Sequence, residues 1–269
     1  MGRHWILSLA ALLCAAGLFA QPRILAHRGG RAEQEENTLA AFKATYEAGC
    51  HGFETDIHIT ADGQYVIMHD HTLERMTDGT GRIEQTQAPY IRTLKTKGGS
   101  PVLFLDDLLA FFKDCEGLYV EWEMKTNEKD YPLLLMQQYC EDVYAKVMAS
   151  KPADALYVFS SFDPRPLLYL RERHPDAEVM LITGKPCSKE TVDLVKMLGL
   201  HRVAANLGGT SRSDIKYAHE KGVLVNLWPG EKTADTHLAY LLGADYLCTD
   251  IPQEVMRFIA DNGLDIRCR

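Results

Sequence analysis

Positive charge is scarce in this chain of 269 residues, where 29 lysines and arginines face 37 acidic residues and leave a net charge of −8. A protein whose main partner is nucleic acid needs a basic face to meet the phosphate backbone, so that class is set aside, while a local basic pocket stays compatible with the balance. No two cysteines have C-x-x-C spacing, which removes the usual support for a thiolate zinc or redox site. Six of the seven cysteines, at positions 50, 115, 140, 187, 248 and 268, are expected as small buried apolar side chains with at most one bridge. No low-complexity linker, second composition regime or internal repeat beyond a strand–helix period divides the chain, so a single domain is expected. No apolar run reaches the roughly 20 residues that span a bilayer. The longest, Trp5 to Ala20, follows Arg3 and reads as an export signal with cleavage after Ala20, so that a mature periplasmic or secreted chain begins near Gln21. Lipid attachment at Cys14 is less favoured, because Leu13 stands where a small residue is expected.

What is present is ample apolar material: 46% hydrophobic and 25% charged residues suit a chain with a large core. From Arg23 onward, short aliphatic runs alternate with longer amphipathic segments, the pattern of a parallel sheet built from βα units. Strands are expected at 24–27, 52–57, 118–124, 156–161, 179–183, 202–205, 224–228 and 246–248. Helices follow, the first over Thr38 to Ala48, where Leu39, Phe42 and Tyr46 recur at helical spacing and Gly49 stops the run. Further helices are expected to begin near Asp106, Tyr131, Pro164, Lys189, Ser211, Lys232 and Pro252. Eight such units close into a (β/α)8 TIM barrel, for which about 250 residues is typical. One break in the period, about residues 69–100, is too long for a simple loop and is read as an insertion between the second strand and its helix. Asp62-Gly63 is a hairpin turn signal that folds the chain back and returns His69 to the end of the second strand.

Active sites of such barrels lie at the C-terminal ends of the strands. There the first strand offers His27 and Arg28, the second Glu54 and Asp56, and the third Glu123 and Lys125. Side chains two apart on a strand share a face, so each carboxylate pair or carboxylate–lysine pair points one way. A hard divalent cation, Mg²⁺ or Ca²⁺, would relieve the repulsion among Glu54, Asp56 and Glu123. Arg28 and Lys125 suit an anionic substrate, the first through a fork that matches phosphate oxygens. His27 and His69 titrate near neutrality and suit proton transfer on either side of a phosphodiester. Glu121 is expected as a core or supporting carboxylate, and His51, His58, His71 and His237 in surface or structural roles.

These residues make the chain resemble the glycerophosphodiester phosphodiesterase family, whose ordered motifs appear as His27-Arg28-Gly29, Glu36-Asn37-Thr38, Glu54-Thr55-Asp56, Asp62-Gly63, His69-Asp70 and Glu123-Met124-Lys125. Softer matches are Ser161-Phe162, Trp228 and Thr249-Asp250 with Pro252. The resemblance implies a (β/α)8 barrel that hydrolyses glycerophosphodiesters to glycerol 3-phosphate and an alcohol. It also implies one divalent metal on Glu54, Asp56 and Glu123, His27 and His69 as the acid–base pair, and Arg28, Lys125 and Trp228 against substrate. In many members the glycerol 2-hydroxyl attacks phosphorus before water completes the reaction. The partner implied is a small molecule, with neither nucleic acid nor stable membrane association after signal cleavage. The chain departs from the family pattern at Glu35, where proline is usual, at Pro229-Gly230-Glu231 after Trp228, and at Pro101 to Asp106 before the second-unit helix. Two other readings remain: a lipid-directed phosphodiesterase resembling sphingomyelinase D or phosphatidylinositol-specific phospholipase C, which would want an apolar rim built from Tyr90, Ile91 and Leu94, and a barrel that binds a phosphorylated ligand without cleaving it.

Overall fold

A parallel sheet with apolar side chains on both faces must be covered on both. The computed structural model, which describes residues 22–263, meets that demand by closing the sheet on itself; the expected export signal, Cys14 and Cys268 lie outside the described residues. The strands are β1 (Arg23–His27), β2 (Gly52–Ile59), a short β3 (Tyr65–Ile67), β4 (Tyr119–Met124), β5 (Leu156–Ser161), β6 (Glu178–Pro186), β7 (Arg202–Asn206), β8 (Leu224–Gly230) and β9 (Tyr246–Thr249). All but β3 pair in parallel, and β1 bonds to both β2 and β9, so the expected eight-stranded barrel is present. Close approach at the seam needs Gly52: a Cβ there would stand 2.2 Å from the Ile24 carbonyl oxygen.

Around the barrel run α1 (Leu39–Glu47), a single turn α2 (Ala88–Ile91), α3 (Leu105–Phe112), α4 (Leu133–Ala149), α5 (Pro164–Arg173), α6 (Lys189–Met197), α7 (Arg212–Glu220), α8 (Thr233–Leu242) and α9 (Pro252–Asp261). Thr38 caps α1 by accepting from the Ala41 amide at 3.1 Å. The helix expected near Tyr131 starts two residues later. Tyr131 is instead wholly buried, its hydroxyl accepting from the Ile59 amide, and Pro132 forms the cap.

The period of two along β4 sorts its side chains. Val120, Trp122 and Met124 face out into the main core with Phe42, Phe53 and Phe112, while Tyr119 joins Leu25, Val158, Met180, Ile182, Ala204 and Cys248 in the barrel interior. Glu121 and Glu123 alternate with the outward set and so point inward, in register with Glu54 and Asp56 on β2. The insertion between β3 and α3 builds its own small core from residues including Met68, Leu73, Ile83, Ile91, Leu94 and Phe104. That core leaves little of the apolar rim a lipid-directed enzyme would want, since Ile91 is fully buried, Leu94 is 7% exposed and only Tyr90 of the three stands in solvent. The five described cysteines are all buried. Among the described residues no helix is long and apolar enough to cross a membrane.

Phe112 sits fully buried against Phe42, Phe53 and Trp122, with ring centroids 5.3–5.9 Å apart. Phe112→Ala is expected to lower the free energy of unfolding by about 3–5 kcal/mol. Denaturant titration checks this, and a loss below about 1 kcal/mol would contradict the packing described.

Candidate active site

The turn after β1 is built from backbone that few sequences tolerate. Arg28 and Asn37 have φ of 52° and 55°, and Gly29 and Gly30 continue in the left-handed region at 81° and 99°. Such conformations persist at non-glycine residues when surrounding bonds hold them. Here the Arg28 amide donates to the Glu54 carbonyl at 3.0 Å, and the Asn37 amide donates to the Arg28 carbonyl at 2.9 Å. The Asn37 side chain donates to Asp56 at 2.8 Å and accepts from the Thr55 hydroxyl at 3.0 Å. Glu36-Asn37-Thr38 therefore acts as a brace: Glu36 holds Arg28, Asn37 holds β2, and Thr38 starts α1.

Glu54, Asp56 and Glu123 converge with one carboxylate oxygen from each within 4.8 Å of the others, and all three are buried. Burial and repulsion from its neighbours push the Glu54 carboxyl well above the usual range, and burial raises Glu123. Asp56 moves the other way, since Lys125 and Arg28 overcome its burial and keep it ionised. Glu54 Oε1 and Asp56 Oδ1 are buried without a hydrogen-bond partner. Buried carboxylates forced together, with Glu54 Oε1 left without a partner, fit a hard divalent cation. Lys125 Nζ lies 2.7 Å from Glu123 and 3.3 Å from Asp56, and Arg28 bonds Glu36 at 3.2 Å with Asp56 at 3.6 Å, so both cations expected against substrate are already engaged by carboxylates.

The two histidines share one arrangement. His27 Nδ1 lies 2.6 Å from Asp250 Oδ1, and His69 Nδ1 lies 2.8 Å from Asp70 Oδ1. Burial lowers both imidazoles below their ordinary value, His69 to about 4. Asp250 also binds Arg31 at 2.7 Å, and those two partners overcome its burial and hold it at about 2. Both imidazoles line a cavity of about 80 Å³ with Arg28, Glu54, Glu123, Phe162 and Trp228. Phe162 and Trp228 meet edge to face at 5.9 Å and form an aromatic wall. Glu121 lies on the cavity floor, bound by Tyr119 and Asn226, with burial pushing it up to about 8. Lys125 opens instead on an adjoining pocket with Glu123 and His71.

Three functional contacts escaped the sequence reading. Asp250 was visible only as part of a soft motif, because its partner His27 is 223 positions away. Arg75 bridges Glu36 and Asp70, joining the β1 turn to the histidine of the insertion, and nothing in its spacing marks it. Glu35, a departure from the family pattern, accepts from the Gly98 amide at 2.6 Å and so grips the insertion. His58 and His71, read as lacking partners, both bond Glu84, and His58 is fully buried.

Hydrogen bonds from Arg75 and His69 hold Asp70 at about 2, and Asp250 lies at about 2 as well, against 3.8 for a free aspartate. A carboxyl lowered on folding adds stability that is complete above the unfolded value and disappears as pH falls through the folded one. Urea midpoints are therefore expected to drop between about pH 4 and pH 2, and Arg75→Ala to make that drop shallower. An unchanged pH profile in the variant would contradict the assignment.

The comparisons agree with this geometry. A family model described as the glycerophosphoryl diester phosphodiesterase family matches residues 27–254. The chain is similar to a glycerophosphodiester phosphodiesterase of Caldanaerobacter subterraneus, 24% identical over 89% of this chain and 98% of that one. It is also similar to human glycerophosphodiester phosphodiesterase 1, 45% identical over 85 residues that make up 30% of this chain and 26% of the human protein. Among solved structures it superimposes with a TM-score of 0.80 and 21% identity on an Oleispira antarctica phosphodiesterase in complex with the product sn-glycerol-3-phosphate, covering 89% of this chain and 97% of that one. With the model spanning nearly all the described residues, the chain belongs to the glycerophosphoryl diester phosphodiesterase family and is a phosphoric diester hydrolase.

Proposed function

We propose that this protein hydrolyses glycerophosphodiesters to glycerol 3-phosphate and an alcohol, with His27 and His69 as proton carriers and one divalent cation, Mg²⁺ or Ca²⁺, on Glu54, Asp56 and Glu123. The observation that carries the reading is the pair of imidazoles, each with Nδ1 against a carboxylate, lining one cavity with Glu54 and Glu123. The glycerol 3-phosphate bound to the Oleispira neighbour supports the substrate class.

When bound, the cation supplies polarisation of the phosphoryl oxygens and offsets the charge that builds on them. The rest falls to side chains. A carboxylate on Nδ1 selects the tautomer that leaves Nε2 as proton acceptor and then stabilises the imidazolium formed. His27 Nε2 lies 3.8 Å from Glu54 Oε2, beside the carboxylate group that would hold the cation. One imidazole, neutral at Nε2, takes the proton of the attacking hydroxyl, and the other, starting as an imidazolium with Nδ1 held by its carboxylate, gives its Nε2 proton to the departing alcohol oxygen. Arg28 lines the cavity, and its guanidinium, now shared between Glu36 and Asp56, is the group that would meet a phosphate oxygen. Trp228 and Phe162 wall the cavity against the carbon skeleton of the ligand. The buried core of the insertion favours a soluble diester over a lipid surface. The apolar segment before Gln21 supports export, with the mature enzyme acting outside the cytoplasm on small diesters.

His27→Ala and His69→Ala are each expected to lower turnover of glycerophosphocholine by at least about 10²-fold while circular dichroism stays native. Near-normal turnover in both variants rules the assignment out. Chelation by EDTA should abolish product release, and one of Mg²⁺ or Ca²⁺ should restore it. Activity that survives both EDTA and Glu54→Gln would remove the metal from the reading.

A further inference from the structure

Outside the carboxylate triad, a second group of ligand-type side chains stands where the insertion meets β2. His58, near the end of β2, is fully buried; Glu84, from the short turn Ile83–Gln85, has a side chain only 5% exposed; His71 is partly open. One ligand atom from each lies within 4.8 Å of the others. His58 Nδ1 is 2.8 Å and His71 Nδ1 2.9 Å from the same oxygen, Glu84 Oε1, and the two rings meet at 79° with centroids 4.7 Å apart. The donors thus converge on one small volume.

Two further observations point to a cation there. His58 Nε2 lies 3.3 Å from the His69 carbonyl, so the second ring nitrogen has a backbone acceptor. That is the arrangement by which a metal-bound imidazole has its tautomer and orientation fixed, with Nδ1 left free to ligate. The other oxygen of Glu84, Oε2, is buried without a hydrogen-bond partner. The nearest cation, Arg82, is 3.9 Å from that oxygen and is itself bound by Asp130, so the local charge is already shared.

We propose that His58, His71 and Glu84 form a second metal site, separate from the carboxylate triad and suited to Zn²⁺. Two imidazole nitrogens and one carboxylate oxygen match a borderline ion that takes four ligands, whereas the all-oxygen triad matches a hard ion. Ligand atoms about 2.0–2.1 Å from zinc in a tetrahedron stand roughly 3.3 Å apart, so the contacts to Glu84 need to open by only about 0.5 Å. The fourth position is left for water from the pocket that His71 shares with Glu123 and Lys125. The ion replaces the protons between Glu84 and the two imidazoles and releases them to solvent. It ties Glu84 and His71 of the insertion to His58 of the barrel, and through His58 it holds the backbone of His69.

The test uses the whole chain, stripped with EDTA and dialysed against Zn²⁺ in the presence of excess Mg²⁺, with zinc per chain read by atomic spectroscopy. The triad variant Glu54→Gln/Glu123→Gln is expected to retain one zinc, and His71→Ala and Glu84→Gln each to hold one fewer than the wild-type protein. Bound zinc should also raise the melting temperature of the wild type and of the triad variant but not of the two cluster variants. His71 is partly exposed and Glu84→Gln is isosteric, so native circular dichroism is expected in both. Co²⁺ substituted into the triad variant should give the stronger visible absorption of a four-coordinate nitrogen-containing site. The proposal is overturned if the triad variant retains no zinc, or if folded His71→Ala and Glu84→Gln hold as much zinc as the wild type.

Discussion

Three carboxylates of like charge, brought together at the rim of a barrel and removed from water, set the terms for everything around them. Glu54, Asp56 and Glu123 sit 0–7% exposed, and the repulsion among them would be prohibitive without compensation. The fold supplies that compensation in layers. Lys125 and Arg28 stand against Asp56, the Asn37 amide donates to it, and the other two acids resist ionisation. The left-handed backbone at Arg28 and Asn37 makes sense in this light, since it is what brings a guanidinium and an amide to one carboxylate.

From that centre an alternating chain of charges runs outward: Asp56, Arg28, Glu36, Arg75, Asp70, His69. It links the carboxylate group to a histidine carried by the insertion, so the arrangement of the three acids and the orientation of that imidazole are set by one network. Such networks hold their members more tightly than separate pairs would, and a change at any link is felt at both ends. Glu35 adds a second tether from the same turn to the Gly98 amide, which explains how the chain manages without the proline usual before Glu36.

Much of this was legible in the residues because the relevant signals are local. Eight aliphatic runs with turn residues between them predicted the barrel strands to within a few positions at either end, since a parallel strand buried on both faces has little freedom of composition. The inward pointing of Glu54, Asp56 and Glu123 followed from a period of two. Asp250 and Arg75 were not legible, because their roles depend on barrel closure and on the path of the insertion, neither of which leaves a periodic trace. His58, His71 and Glu84 belong to the same class: 13 positions separate His58 from His71 and 13 more separate His71 from Glu84, and only the folded insertion brings them together. The burial of Ile91 and Leu94 was not legible for a related reason, since whether an insertion of this length buries its own apolar residues depends on how it folds.

The seam between β1 and β9 has a consequence for the order in which this protein comes to exist. His27 lies on the first strand and the carboxylate against its Nδ1 follows the last, so under the proposed function a growing chain carries nearly all of its machinery while lacking the partner of one proton carrier. Competence arrives only when the final βα unit has been made and docked against the first. Under the same reading, a polypeptide that ends before Asp250 lacks the contact that sets the His27 tautomer, however well its early units pack.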